Sequence, residues 1–331
     1  MRRLAASVVC AALFAAACGD DGGDEAAPTT ISPETSTTTE APTESSTTTE
    51  APSTTTEAPS ATVVTEERTF VDASRITKAS GDLAERSERT IDAYVDALDT
   101  DDVRPLIVFS HGLTGHPESH RMLRTHLAEV GFIVVSPVFP LTNGRTGTAD
   151  AGDIEGQVGD VSFVIDSMLA DERFGPLIDA DRIGAIGHSL GGLTTAGAAL
   201  RPDTDQRISA AAVLSAGFGD PRDGVAVLVL HGDGDRIVPV GSSIVSYSLL
   251  EGRRMLVTLL GGDHNLGIGD DDSDYGPVVR DLAAAFFAHE LDHDPSAAVD
   301  RVTLADLALA TVEAGTGEGP LEDWTEYFSA G

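Results

Sequence analysis

The stretch Gly187-His188-Ser189-Leu190-Gly191-Gly192 limits the possible folds of this chain more than any other. It follows an apolar run, Arg182 to Ile186, and opens into a small-residue segment, Leu193 to Leu200. Strand, sharp turn and helix form the context in which G-x-S-x-G is a nucleophile elbow. Such a turn strains the serine backbone and lifts the hydroxyl above a sheet. Glycines flank it because side chains there would collide with the neighbouring strand or helix.

The surrounding pattern agrees. Leu106 to Ser110, Phe132 to Val135, Ile208 to Leu214, Val225 to Leu230 and Met255 to Leu260 are short apolar runs. Runs of this kind form strands buried on both faces. Helical spacing marks Glu118 to Val130, Val158 to Leu169, Ser242 to Leu250 and Val278 to Leu291. Alternating strands and helices predict an α/β fold: a mostly parallel central sheet with helices on both faces. Thr62 to Val71 and Arg89 to Val95 alternate like an antiparallel pair at its start. Only a short interval, Ser215 to Gly224, separates two of the core strands, which leaves no room for a large lid.

Not all 331 residues suit a folded core. Residues 1–17 pair Arg2-Arg3 with an apolar run too short to span a membrane, as in an export signal. The run ends Ala15-Ala16-Ala17-Cys18, similar to a bacterial lipobox, so Cys18 is the expected lipidation site. The other cysteine, Cys10, lies inside the signal, so the mature chain has no internal disulfide. Residues 18–60 repeat Thr-Thr-Thr-Glu-Ala-Pro and lack aromatics; such a composition cannot offset its ordering entropy and reads as a tether. Residues 61–295 form the expected catalytic domain and 296–331 a C-terminal extension, in which Leu304 to Glu313 has helical spacing. Net charge is −33 with Lys78 the only lysine, which argues against nucleic-acid partners. The expected molecule is an exported monomer, lipid-anchored on the outer face of the cell membrane, or secreted if Cys18 is unmodified.

A serine needs a base to attack a carbonyl. Gly262-Asp263-His264-Asn265 follows the last core strand and supplies His264. The histidine needs a carboxylate to fix its tautomer. Asp235, in His231-Gly232-Asp233-Gly234-Asp235-Arg236-Ile237-Val238-Pro239, is favoured over Asp233 and Asp263. Two backbone N–H groups must face the oxyanion. Leu190 follows the nucleophile, and Leu113 (second choice Thr114) lies in the loop after Ser110. His111 reads as a brace for that loop and His188 as packing.

With Ser110-His111-Gly112-Leu113 added, these motifs make the chain resemble the dienelactone-hydrolase-like serine esterases of the α/β-hydrolase family. Within that set it is similar to bacterial cutinase-like polyester hydrolases and platelet-activating-factor acetylhydrolases. The resemblance implies an α/β-hydrolase fold without a large lid domain. It also implies cofactor-free hydrolysis of small-molecule, lipid or polymeric esters. Where dienelactone hydrolases have a nucleophilic cysteine, this chain has Ser189; where polyester hydrolases have an aromatic in the oxyanion loop, it has Leu113. A non-catalytic surface lipoprotein, and an acyltransferase or peptidase on the same fold, are the competing readings.

Two patterns resemble metal sites and are read otherwise. His289-Glu290-Leu291-Asp292-His293 matches H-E-x-x-H, but Pro295 ends its helix at once. Asp270, Asp272 and Asp274 sit in a loop whose Gly276 is one place late for a calcium turn. No metal is expected.

Overall fold

The computed structural model describes residues 62–77, 88–219, 221–269, 273–291 and 310–315. Residues 1–17, the 18–60 segment with Cys18, and Asp270, Asp272 and His293 lie outside the described residues.

Among the described residues nine strands form one sheet: β1 (Val63–Ile76), β2 (Glu88–Leu98), β3 (Arg104–Ser110), β4 (Ile133–Val138), β5 (Ile178–His188), β6 (Ile208–Leu214), β7 (Ala226–Gly232), β8 (Arg254–Leu259) and β9 (Ala310–Gly315). Their order is β1-β2-β4-β3-β5-β6-β7-β8-β9. The six from β4 to β8 pair in parallel, while β2 and β9 run antiparallel to their neighbours.

Every residue of β3, β6 and β7 except Ser209 is buried, as the continuous apolar runs require. Alternate residues serve opposite faces. Ile107 and Phe109 join helices α1 (Arg121–Val130) and α5 (Tyr275–Glu290) in one core. Leu106 and Val108 join α2 (Ile154–Leu169) and α3 (Leu190–Leu200) in the other. Gly184 in β5 leaves room for Phe287 of α5: a Cβ there would lie 2.7 Å from the ring. Helix α1 ends at Gly131, whose φ of 112° suits glycine at that position. A further helix, α4 (Gly241–Leu249), links β7 to β8. No helix or strand lies between β6 and β7 among the described residues.

Two expectations change. The stretch from Glu118 opens as a 3-10 turn, Pro117–His120, and becomes α-helical only at Arg121. The Leu304–Glu313 helix does not hold for residues 310–313, which belong to strand β9. Thr311 and Val312 are β-branched, and the open edge of β8 offers ladder partners that a short helix could not match.

Candidate active site

Four chain segments meet at the carboxyl ends of the parallel strands, where ligands of open α/β sheets bind. Ser189 stands between β5 and α3 with φ 55° and ψ −121°. Its N–H donates to the Leu214 carbonyl at 2.9 Å, and its carbonyl accepts from the Gly192 and Leu193 amides. Glycines are needed on either side. A Cβ on Gly187 would sit 2.1 Å from the Gly191 carbonyl, and one on Gly191 would sit 2.0 Å from that of Ser110. Those contacts press the turn into the β3 loop and hold the strained serine in place.

The structure brings the sequence-selected Ser189, His264 and Asp235 together. Ser189 Oγ lies 2.9 Å from His264 Nε2, and His264 Nδ1 lies 2.7 Å from Asp235 Oδ2. A ring nitrogen facing a carboxylate carries the hydrogen, so Nε2 is left to accept from the serine hydroxyl. The other two candidate carboxylates face elsewhere: Asp233 accepts from the Gly261 amide, and Asp263 from the Asn265 and Leu266 amides.

Asp235 is buried, and among the described residues its ion-pair partners are histidines and its donors are N–H groups. Oδ1 accepts from the Ile237 and Val238 amides at 2.8 and 2.9 Å, and Oδ2 faces the rings of His264 and His231. Burial works against its charge. The bonds from His264, Val238 and Ile237 outweigh it and hold the carboxyl below its ordinary pKa.

The candidate oxyanion donors lie on either side of the serine. Leu190 opens α3, where a first-turn amide has no acceptor within the helix. The β3 loop abuts the elbow: a Cβ on Gly112 would be 3.2 Å from Ser189 Cβ. In this loop Thr114 donates to the Thr142 carbonyl and Gly115 to that of Gly112. Among the described residues the Leu113 amide donates to no backbone carbonyl. Thr114, the second choice, has its amide engaged and its φ at 60°. His111 braces the loop, donating from Nδ1 to the Gly112 carbonyl at 2.8 Å and accepting at Nε2 from the Phe139 amide. Burial pushes its pKa down to about 4, so it is a neutral strut.

His188 does more than pack. Its Nε2–H donates to the His264 carbonyl at 2.7 Å, tying the histidine loop to the elbow. Burial pushes its pKa down to about 3, which excludes it as a second base near neutrality. His231 is the site residue that the sequence reading missed. The signal was its place four residues before Asp235, but its partners become visible only once the loop is folded.

Both metal-like patterns include residues outside the described ones; among the described residues no group of three or more His, Cys, Asp or Glu is arranged to hold an ion. His289 and Glu290 are engaged with Arg253 instead.

No protein-family model matches the sequence, and no curated protein matches it. Among solved structures the chain is similar to a ferulic acid esterase from Streptomyces cinnamoneus. The TM-score is 0.58 at 18% identity, over 78% of this chain and 98% of that one. The fold is therefore the α/β-hydrolase fold, with a mostly parallel sheet and helices on both faces.

Proposed function

We propose that the protein is a serine carboxylic ester hydrolase. The observation that carries this reading is the unbroken chain from Ser189 Oγ through His264 to Asp235, at 2.9 and 2.7 Å. Distances in this range suit proton transfer from a nucleophile to an oriented base.

The steps follow from those positions. Ser189 Oγ attacks the ester carbonyl as its proton passes to His264 Nε2. Asp235 stabilises the imidazolium without taking its proton. The Leu113 and Leu190 amides hold the oxyanion. The tetrahedral intermediate collapses, and His264 gives its proton to the leaving alcohol. Water, deprotonated by His264, then releases the acid and restores Ser189.

The substrate class is an acyl ester: a lipid, a short-chain ester or a polyester. The likeness to a ferulic acid esterase adds feruloyl esters. The short connection between β6 and β7 supports a site open to bulky esters. We also propose that the chain is exported and anchored through a lipid on Cys18, supported by the small residues before that cysteine. Replacing Cys18 with serine should release the protein from membranes into the medium.

The decisive comparison is wild type against Ser189→Ala on p-nitrophenyl acetate, longer acyl esters, a feruloyl ester and a polyester film. Hydrolysis by the wild type that falls by at least about 10⁴-fold in the variant supports the assignment. Turnover that survives the change puts the nucleophile elsewhere. A wild type inert on every ester favours a binding protein.

A further inference from the structure

Asp235 Oδ2 faces two imidazoles. His264 Nδ1 is 2.7 Å away and His231 Nε2 is 3.1 Å away. His231 is 0% exposed and lies near the end of β7. Its Nε2 is also 2.8 Å from the Val238 carbonyl. A ring nitrogen between two acceptors must carry a hydrogen. Its Nδ1 lies 2.6 Å from Ser243 Oγ, which reaches in from α4. The Ser243 hydroxyl also faces the Ala216 carbonyl at 2.8 Å, and burial pushes the pKa of His231 down. A packing residue would need only the volume; this one has both nitrogens engaged.

We propose that His231 is a positioning residue for the reaction, an inference that rests on the hydrolase reading above. Its N–H shares Oδ2 with His264, and so limits how strongly the carboxylate stabilises the imidazolium. The cycle needs His264 to take a proton and release it twice. A carboxylate committed to one imidazole holds that proton on the ring too firmly. His231 also closes the loop from Asp235 to Val238 from within, which fixes the direction of the carboxylate.

The remaining charged groups nearby are otherwise occupied or distant. His188 donates to the His264 carbonyl, and the His120 ring stands beyond it, 6.1 Å from the His188 ring. Asp233 and Asp263 accept backbone amides of the histidine loop. Arg236 is exposed on the aspartate loop.

His231→Leu removes the second donor. The acid limb of kcat/KM against pH should then move up by about half a unit to one unit. A better-stabilised imidazolium and a less-stabilised carboxylate both take up a proton at higher pH. His231→Gln keeps an N–H donor and should return the limb toward wild type. A uniform fall in rate with an unmoved limb would overturn the proposal. If His231→Leu does not fold, proton NMR of the full chain decides. Two slowly exchanging imidazole N–H signals should both shift in Asp235→Asn; a shift of only one overturns the shared carboxylate. The spectrum needs no turnover. An inert wild type with both signals therefore supports the shared carboxylate while the ester-hydrolase reading fails.

Discussion

The rim of the candidate site and the β1–β2 edge both bury carboxylates, and they surround them in opposite ways. At the edge, Asp160 is fully buried against Arg89 at 2.6 Å and Arg75 at 2.9 Å, and Asp153 holds the other side of Arg89. Asp72 takes Arg75. The three carboxylates share two permanent cations, so β1 and β2 are fastened to α2. At the rim, Asp235 is surrounded by backbone amides and imidazole rings. A permanent cation there would leave no electrostatic work for His264. In the mechanism proposed above, a positive charge is supplied while His264 carries the serine proton.

Backbone strain divides the same way. Among the described residues, the non-glycine residues with positive φ are Thr114, Ser189, Ser215 and Leu266. All lie in loops after core strands β3, β5, β6 and β8. Strain of this kind costs of order 1–3 kcal/mol per residue and persists only where the surroundings enforce it. The edge carries none of it and supplies stability instead.

One chemical change made in both regions tests the contrast. Asp235→Asn should lower kcat by about 10⁴-fold, because the histidine loses its orienting anion, with little change in the urea midpoint. Asp160→Asn should do the reverse. It removes the buried carboxylate shared by Arg89 and Arg75, which keep Asp153 and Asp72, and should cost about 2 kcal/mol by urea denaturation, while folded protein keeps its turnover. Equal loss of rate in both variants would erase the distinction.

Acid should act on the rim first. His188 and His111 are held near pKa values of about 3 and 4, and His231 is also held low. The ordinary value, about 6.5, applies once the chain unfolds. Between those values the unfolded chain binds more protons, so stability is full above pH 6.5 and falls as pH drops toward 4. The slope approaches about 1.4 kcal/mol per pH unit for each such ring. Denaturant melts at pH 7 and 5 measure it, and His188→Gln should flatten the slope. The smallest effect concerns strain: Ser189→Gly should abolish turnover yet stabilise the fold by about 1 kcal/mol, read as a rise in Tm.

Much of this was legible in the chain. Unbroken apolar runs marked the core strands because both sheet faces are covered. The elbow was legible because only glycine tolerates contacts near 2 Å on either side of Ser189. Ser189, Asp235 and His264 could be named because each falls just after a strand. What was not legible depends on approach through space. His188 meets a carbonyl 76 positions away, and Arg89 meets Asp160 across 71. No local spacing encodes either contact. Strand β9 was hidden because its pairing depends on the exposed edge of β8, which can override weak helical spacing.

In the proposed mechanism His264 makes Ser189 a nucleophile. Treating the native protein with a fluorophosphonate and mapping the adduct by mass spectrometry tests it without assuming any substrate. One stoichiometric adduct should form on Ser189 and be lost in His264→Ala. An unlabelled protein, a label on another residue, or equal labelling without His264 would contradict it.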